Sequence, residues 1–237
     1  LLGPYAAFLV IASVLTVQAF FFADGGLLAL GCNIFNMGFF PAFVAYPLIY
    51  RAMVRDQYIA PRAWIAAILA AAIGLELGAF SVVLETRASG ISDLPFGTFV
   101  LLMLPIHLAI GIVEGLATAA VVSFVAKARP EALPTSAVSG DRVGMRPLLI
   151  KLAVIALLTG CVASWFASTH PDGLEWSIAK VTGKEEVAGR EDGAHKSLSD
   201  IQAKTAFLPD YGFKASGDEP AHGETAEPTA EAWPAVS

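Results

Sequence analysis

The chain has 237 residues, 56% of them apolar and 15% charged, with a formal net charge of −6. A soluble domain carries about 45–50% apolar and about 25% charged residues, so this composition, with a mean hydropathy of +0.64, excludes an ordinary soluble domain and indicates a membrane protein. With pI ≈ 5.2 and no basic cluster outside short inter-helix loops, a nucleic-acid-binding surface is also excluded.

Charge is unevenly placed. Residues 1–167 hold 9 Lys and Arg against 8 Asp and Glu, whereas residues 168–237 hold 6 against 13, so an apolar body carries an acidic tail. Counted in spans of about 20 apolar residues, the body offers five stretches, at 4–22, 34–50, 63–86, 95–126 and 147–167. The expected fold class is an all-α, polytopic transmembrane bundle with a largely irregular acidic tail.

The first stretch has no charge and stops at Asp24-Gly25-Gly26, where glycine supplies the positive φ of a turn. From Leu27 to Phe40 the chain stays apolar but includes Gly31, Asn33, Asn36 and Gly38. This predicts a bent or partly unwound lead into the second helix, packed against protein rather than lipid. The fourth stretch is long for one crossing and contains Pro105, which predicts a kinked or two-part segment. Between Ala126 and Pro147 the run KARPEALPTSAVSGDRVGMR has no helical period and reads as a linker between two membrane modules. Residues 177–237 have few aliphatics and end in DEPAHGETAEPTAEAWPAVS, a composition that predicts little structure. No period of a repeat architecture recurs. The chain begins at Leu1 inside an apolar run without an initiator Met, which reads as a fragment.

Basic residues in short loops set the orientation. Arg51, Arg55 and Arg62 flank one connection, and Lys127, Arg129, Arg142, Arg146 and Lys151 another. Both are expected to be cytoplasmic. Asp24 lies in one opposite connection and Glu85, Arg87 and Asp93 in the other, so residues 168–237 are expected to be extracytoplasmic.

Three ionisable side chains fall inside the spans: Glu76, His107 and Glu114. A charge at a helix centre costs roughly 2.5–3.5 kcal/mol on insertion scales, so such residues face a bundle interior, either as functional groups or as paired packing residues. Glu76 lies within Gly74-Leu-Glu-Leu-Gly78 and Glu114 within Gly111-Ile-Val-Glu-Gly115, two GxxxG patterns that permit close helix approach. His107 and Glu114 are two turns apart and share a face at about 10.5 Å. Cys32 and Cys161 both lie in apolar segments and supply neither a disulfide framework nor a zinc knuckle. No HExxH, GxSxG, phosphate loop or GxGxxG occurs, which argues against hydrolase, ATPase and dinucleotide chemistry. His170 opens a Pro-Asp-Gly turn beyond the fifth span, and His195 and His222 stand alone in the polar tail, where solvated side chains are expected.

These residues also resemble a known family. LLGPYAAFLVIASVLTVQAFFFADGGLLALGCNIFNMG at 1–38, GAFSVVLE at 78–85 and LPIHLAIGIVEGLATAAVVSF at 104–124 resemble the CbiM/NikM family. Its members are substrate-capture membrane components of energy-coupling-factor transporters for cobalt and nickel. PDGLEWS at 171–177 and PDYGF at 209–213 resemble the PDGLE domain of the accessory component that is often fused behind them.

The resemblance implies three parts: residues 1–126 as the capture domain, 127–146 as a cytoplasmic linker, and 147–237 as the accessory domain with one helix and an outer tail. It implies Ni²⁺ or Co²⁺ as cargo, with cobalt use linked to cobalamin synthesis. No bound cofactor and no ATPase of its own are implied. The partners would be a transmembrane coupling subunit, ATP-binding subunits and lipid, in a bacterial or archaeal cell membrane. The family's main ligands, the free amino terminus and an adjoining His, would lie upstream of Leu1. Within the chain, Asn33, Asn36, Glu76, His107 and Glu114 are the candidates to line or support a metal pathway, and Pro171, Asp172, Gly173, Leu174 and Glu175 form the accessory motif. A membrane scaffold, or an intramembrane enzyme, are the competing classes.

Overall fold

The computed structural model describes residues 2–55, 61–90, 94–128, 172–183 and 193–209, together with Tyr58 and Ile150, Val154, Leu157 and Leu158. Among these residues the chain is helical, without strands, as its composition requires. Four helices are long and apolar enough to cross a membrane: α1 (Pro4–Phe22), α2 (Leu30–Val54), α3 (Pro61–Ser89) and α4 (Phe96–Ala128, apolar as far as Lys127). Two shorter helices follow in the tail, α5 (Gly173–Thr182) and α6 (Gly193–Thr205).

Local chemistry accounts for the ends and irregularities. Proline, which has no N–H to leave unsatisfied, starts α1 after Gly3 at φ 76. Within that helix, Ser13 and Thr16 donate their hydroxyls to the Leu9 and Ala12 carbonyls at 2.8 and 2.7 Å, so neither faces hydrocarbon unpaired. The last turn, Gln18–Phe22, widens to i→i+5 bonding and stops at Ala23 in the left-handed region. Helix α3 ends before Gly90, whose φ of +64 is the usual left-handed stop.

In two places one of the expected alternatives, the unwound approach and the two-part segment, is overturned. Leu27–Phe40 is not an unwound approach: helix begins at Leu30, and the irregularity takes the form of wide i→i+5 turns over Phe35–Arg51. Pro41 and Pro47 lie inside that stretch, where each lacks a donor and crowds the preceding turn; wider turns relieve both without breaking the helix. Nor is the fourth stretch in two parts, because α4 runs through Pro105 as one helix of 33 residues. The same neighbour, α3, packs on both sides of that proline, through Phe99 and Met103 before it and Gly111 and Gly115 after it, and holds one continuous rail.

Helix α3 is the middle of the bundle. Toward α2 it presents Gly74 and Gly78: a Cβ at Gly78 would stand 2.6 Å from the Asn36 carbonyl oxygen, and one at Gly74 would stand 3.2 Å from the Ala45 Cβ. Toward α4 it presents Ile68 and Ala72, whose Cα atoms would lie 2.5 and 2.7 Å from a Cβ at Gly115 and Gly111. The two GxxxG patterns therefore do not meet each other; each opens a different seam of α3. With no hydrophobic drive between helices in lipid, such backbone-to-backbone approach is what supplies dispersion contact.

The tail is more ordered than its composition predicts. Asp172 caps α5 by accepting from the Leu174 and Glu175 amides at 2.8 Å, while the Asp172 amide donates to Glu175 Oε2 at 3.0 Å. Leu174, Ile178 and Val181 then pack on a core of Ala79, Val83, Leu94, Phe99 and Met103, where α3 ends and α4 begins. Helix α6 closes the end of α1. Gln202 donates to the Ala19 and Gly25 carbonyls at 3.1 and 2.7 Å, the Leu208 amide donates to the Phe21 carbonyl at 3.2 Å, and Phe207 packs on Phe21 and Phe22. Both tail helices thus sit at the end of the bundle that carries the 23–29 and 90–95 connections. Of the expected fifth span, only Ile150, Val154, Leu157 and Leu158 are described, as helical and exposed; the rest of 147–167, the linker from 129 and the tail beyond Pro209 lie outside the described residues.

Candidate functional site

Among the described residues, polar side chains form clusters at two places between the helices. The first lies between α2 and α3. Asn36, only 3% exposed, donates its amide to Glu85 Oε2 at 2.8 Å, Ser81 donates to Glu85 Oε1 at 3.4 Å, and Cys32 lies near Glu85. Asn36 Oδ1 is buried without a hydrogen-bond partner. Asn33, one turn away, sits under the Asp24-Gly25 turn, its Nδ2 3.0 Å from where a Cβ on Gly25 would be.

The second lies between α3 and α4. Contacts at Ile68 with Gly115 and Ala72 with Gly111 fix an antiparallel register in which one residue number rises as the other falls. One turn further on, the register sets Glu76 opposite His107, and the two interact electrostatically. Glu76 Oε1 is buried and has no hydrogen-bond partner. His107 Nδ1 lies 2.8 Å from the Met103 carbonyl oxygen. A carbonyl only accepts, so Nδ1 carries a proton, which leaves Nε2 as the ring nitrogen that can offer a lone pair. That edge of the ring is met by Gly173 of α5: a Cβ there would be 3.0 Å from Cε1 and 3.4 Å from Nε2.

The sequence candidates are thus divided. Glu76 and His107 come together; Asn36 belongs to the other cluster; Glu114 is exposed and meets neither, although it shares a helix face with His107. The packing that Gly111 permits does not cover it. Of the accessory motif, Asp172 and Glu175 form the cap, Leu174 packs on the core, Gly173 meets His107, and Pro171 lies outside the described residues, as does His170. His195, expected to be solvated, is half-buried on α6. Glu85, the centre of the first cluster, is not among the sequence candidates, because in the sequence it falls at the flank of a connection. The available signal was a pair of polar i, i+4 spacings, Cys32 with Asn36 and Ser81 with Glu85, on helices that glycine brings into contact. Among the described residues no three His, Cys, Asp or Glu side chains converge on one point.

Apolar helices packed through glycine, with Glu76 and His107 facing each other across one seam and a capped helix docked at one end, define a multi-pass membrane protein with an attached accessory module. Residues 1–132 match the family described as the cobalt uptake substrate-specific transmembrane region, and the chain belongs to that family. Residues 146–231 match the PDGLE domain.

Among curated proteins, the chain is 41% identical over 162 residues to a putative fused nickel transport protein NikMN of Archaeoglobus fulgidus, covering 67% of this chain and 49% of that protein. It is 30% identical over 210 residues to the fused nickel transport protein NikMN of Rhodobacter capsulatus, covering 81% and 59%. To a cobalt transport protein CbiM of Sorangium cellulosum it is 30% identical over 137 residues, covering 56% and 59%. The chain spans about half the length of the curated relatives it matches. No solved structure matches it.

Proposed function

We propose that the protein is the substrate-specificity component of an ATP-driven importer of Ni²⁺ or Co²⁺, with its accessory domain fused behind it. The match of residues 1–132 to the cobalt uptake family carries this reading, and the named relatives support nickel or cobalt as the cargo class. Imidazole and carboxylate donors suit both ions. The energy would come from partner chains, a transmembrane coupling subunit with ATP-binding subunits, as in energy-coupling-factor transporters. Residues 1–126 form the capture domain, 127–146 a cytoplasmic linker and 147–237 the accessory domain. Asn33, Asn36, Glu76 and His107 line or support the cation's route, and exposed Glu114 does so where another helix covers it.

Radiolabelled nickel and cobalt accumulation in cells that lack their own uptake systems tests the reading. Cells expressing the protein with coupling and ATPase chains are expected to accumulate one or both ions, and cells lacking the ATPase chains are not. Equal accumulation with and without the ATPase chains would overturn it.

The sidedness proposed from the basic loops is supported by the docking of α5 and α6 at the bundle end away from Arg51, Arg55 and Arg62. Single cysteines at Ser139 and Ser216, in a background lacking Cys32 and Cys161, are expected to give impermeant labelling in intact cells at 216 and not at 139. The reverse pattern would invert the topology.

A further inference from the structure

We propose that Glu76 and His107 form a divalent-cation site on the α3–α4 seam, and that the first turn of α5 is its competitive cover. The inference rests on the transport reading above and deepens it, by giving the cargo a holding point within the chain and the accessory domain a means of acting on it.

Glu76 Oε1 is buried with no hydrogen-bond partner, a state that costs a carboxylate heavily unless a cation or a proton meets it. His107 faces it in the helix register, and its Nδ1 is committed to the Met103 carbonyl at 2.8 Å. A metal-binding imidazole commonly donates its second nitrogen to a backbone carbonyl in this way, which fixes the ring and leaves Nε2 as the ligand atom. One imidazole nitrogen and one carboxylate oxygen, from facing helices, make a donor set suited to Ni²⁺ or Co²⁺ and unsuited to Mg²⁺, which prefers oxygen alone. Two protein donors leave the remaining positions to water, so the ion is held loosely enough to move on, as conduction requires.

Gly173, the first residue of α5, closes on the same edge of the ring, so near that a Cβ on it would stand 3.0 Å from Cε1 and 3.4 Å from Nε2. Nickel or cobalt on Nε2 would need about 2 Å for the bond and more for its waters. Docked α5 and bound cation therefore exclude each other, and linkage makes the exclusion reciprocal: loading the site releases the accessory helix, and docking the helix weakens the site. The glycine of the motif is explained by the ring it covers.

Co²⁺ titration of the full chain in lipid nanodiscs, followed by the cobalt ligand-field absorption, tests this. Gly173→Leu, which prevents close docking but leaves both donors, is expected to tighten Co²⁺ binding about tenfold. His107→Ala placed on Gly173→Leu is expected to erase that gain, and Mg²⁺ in excess is expected not to compete. Equal Co²⁺ affinity in wild type, Gly173→Leu and the double variant would overturn the proposal. Should the alanine variant not purify as a monodisperse protein, Glu76→Gln, which keeps the volume, takes its place in the cycle, and unchanged affinity in it overturns the proposal equally. The two readings fail separately: unchanged affinities with intact uptake in cells remove this site and leave the transporter, whereas ATPase-independent accumulation removes the transporter reading whatever the titration shows.

Discussion

The α3–α4 seam and the α1–α6 clasp hold the same bundle by opposite means. Along the seam, glycine and alanine bring backbones to touching distance, and 33% of the most apolar stretch of α3 is buried inside the chain, against 11% of that of α1. Helix α1 has no buried residue over Pro4–Val17. What fastens its far end is polar: one glutamine amide and one backbone N–H from the tail fill carbonyls that the widened last turn leaves open. In lipid, where apolar side chains gain nothing by leaving one helix for another, shape and hydrogen bonds remain as the two ways to fix a helix, and each region relies mainly on one. The comparison predicts that the seam fails all at once under a steric change, whereas the clasp loosens one bond at a time.

Breaking the seam gives the largest effect. In Gly111→Leu the new side chain would have to enter the space of the Ala72 backbone, whose Cα is 2.7 Å from the position of a Cβ. Overpacking against backbone cannot be relieved by a rotamer change, so a cost of about 3 kcal/mol is expected. The monodisperse fraction recovered in detergent should collapse, while Gly26→Ala, with nothing within 4 Å of its Cβ position, should match wild type. Equal recovery of both variants would mean that the α3–α4 approach is not fixed by its glycines.

The spans were legible in the sequence because apolar length is a property of composition: 4–22, 63–86 and 95–126 correspond to Pro4–Phe22, Pro61–Ser89 and Phe96–Ala128. The start of α2 was not, because Gly31, Asn33 and Asn36 look like helix breakers until α3 supplies Glu85 and a glycine for them to pack on. That is tertiary information. Glu76 and His107 were visible as expensive residues in apolar runs, yet their pairing depends on a register set elsewhere on the seam. In the tail, low overall hydropathy hid a helical face of Leu198, Gln202 and Thr205, spaced four and three residues apart. The capping pattern Asp172 to Glu175 was readable in one line of sequence, but the surface its helix covers was not.

Between the two regions stands the Asn36–Glu85 bond, polar like the clasp but buried like the seam. Glu85→Ala removes the acceptor of Asn36 Nδ2 while Oδ1 is already without a partner, leaving a 3% exposed amide unpaired at both ends. An orphaned buried amide costs about 1–3 kcal/mol, so a lower apparent melting temperature in detergent is expected. Glu85→Gln, which still presents a carbonyl oxygen to the Asn36 amide, should recover most of the loss. If both variants melt with wild type, the α2–α3 contact is held by Gly74 and Gly78 alone.

The smallest effect belongs to the clasp. Gln202→Ala deletes the side-chain bonds to the Ala19 and Gly25 carbonyls and keeps the Leu208 amide bond and the Phe207 contacts. Each deleted bond is worth about 1 kcal/mol net, and both carbonyls lie near the end of α1, where water can replace part of the loss. The expected result is local. Amide exchange should quicken in α6 and in Gln18–Phe22, by about five- to thirtyfold for 1–2 kcal/mol of local stability. Exchange in α3 and α4 should not change, because nothing in their seam touches the glutamine. Faster exchange throughout the bundle would show that the clasp and the seam form one cooperative unit, and the division between them drawn from their packing would be wrong.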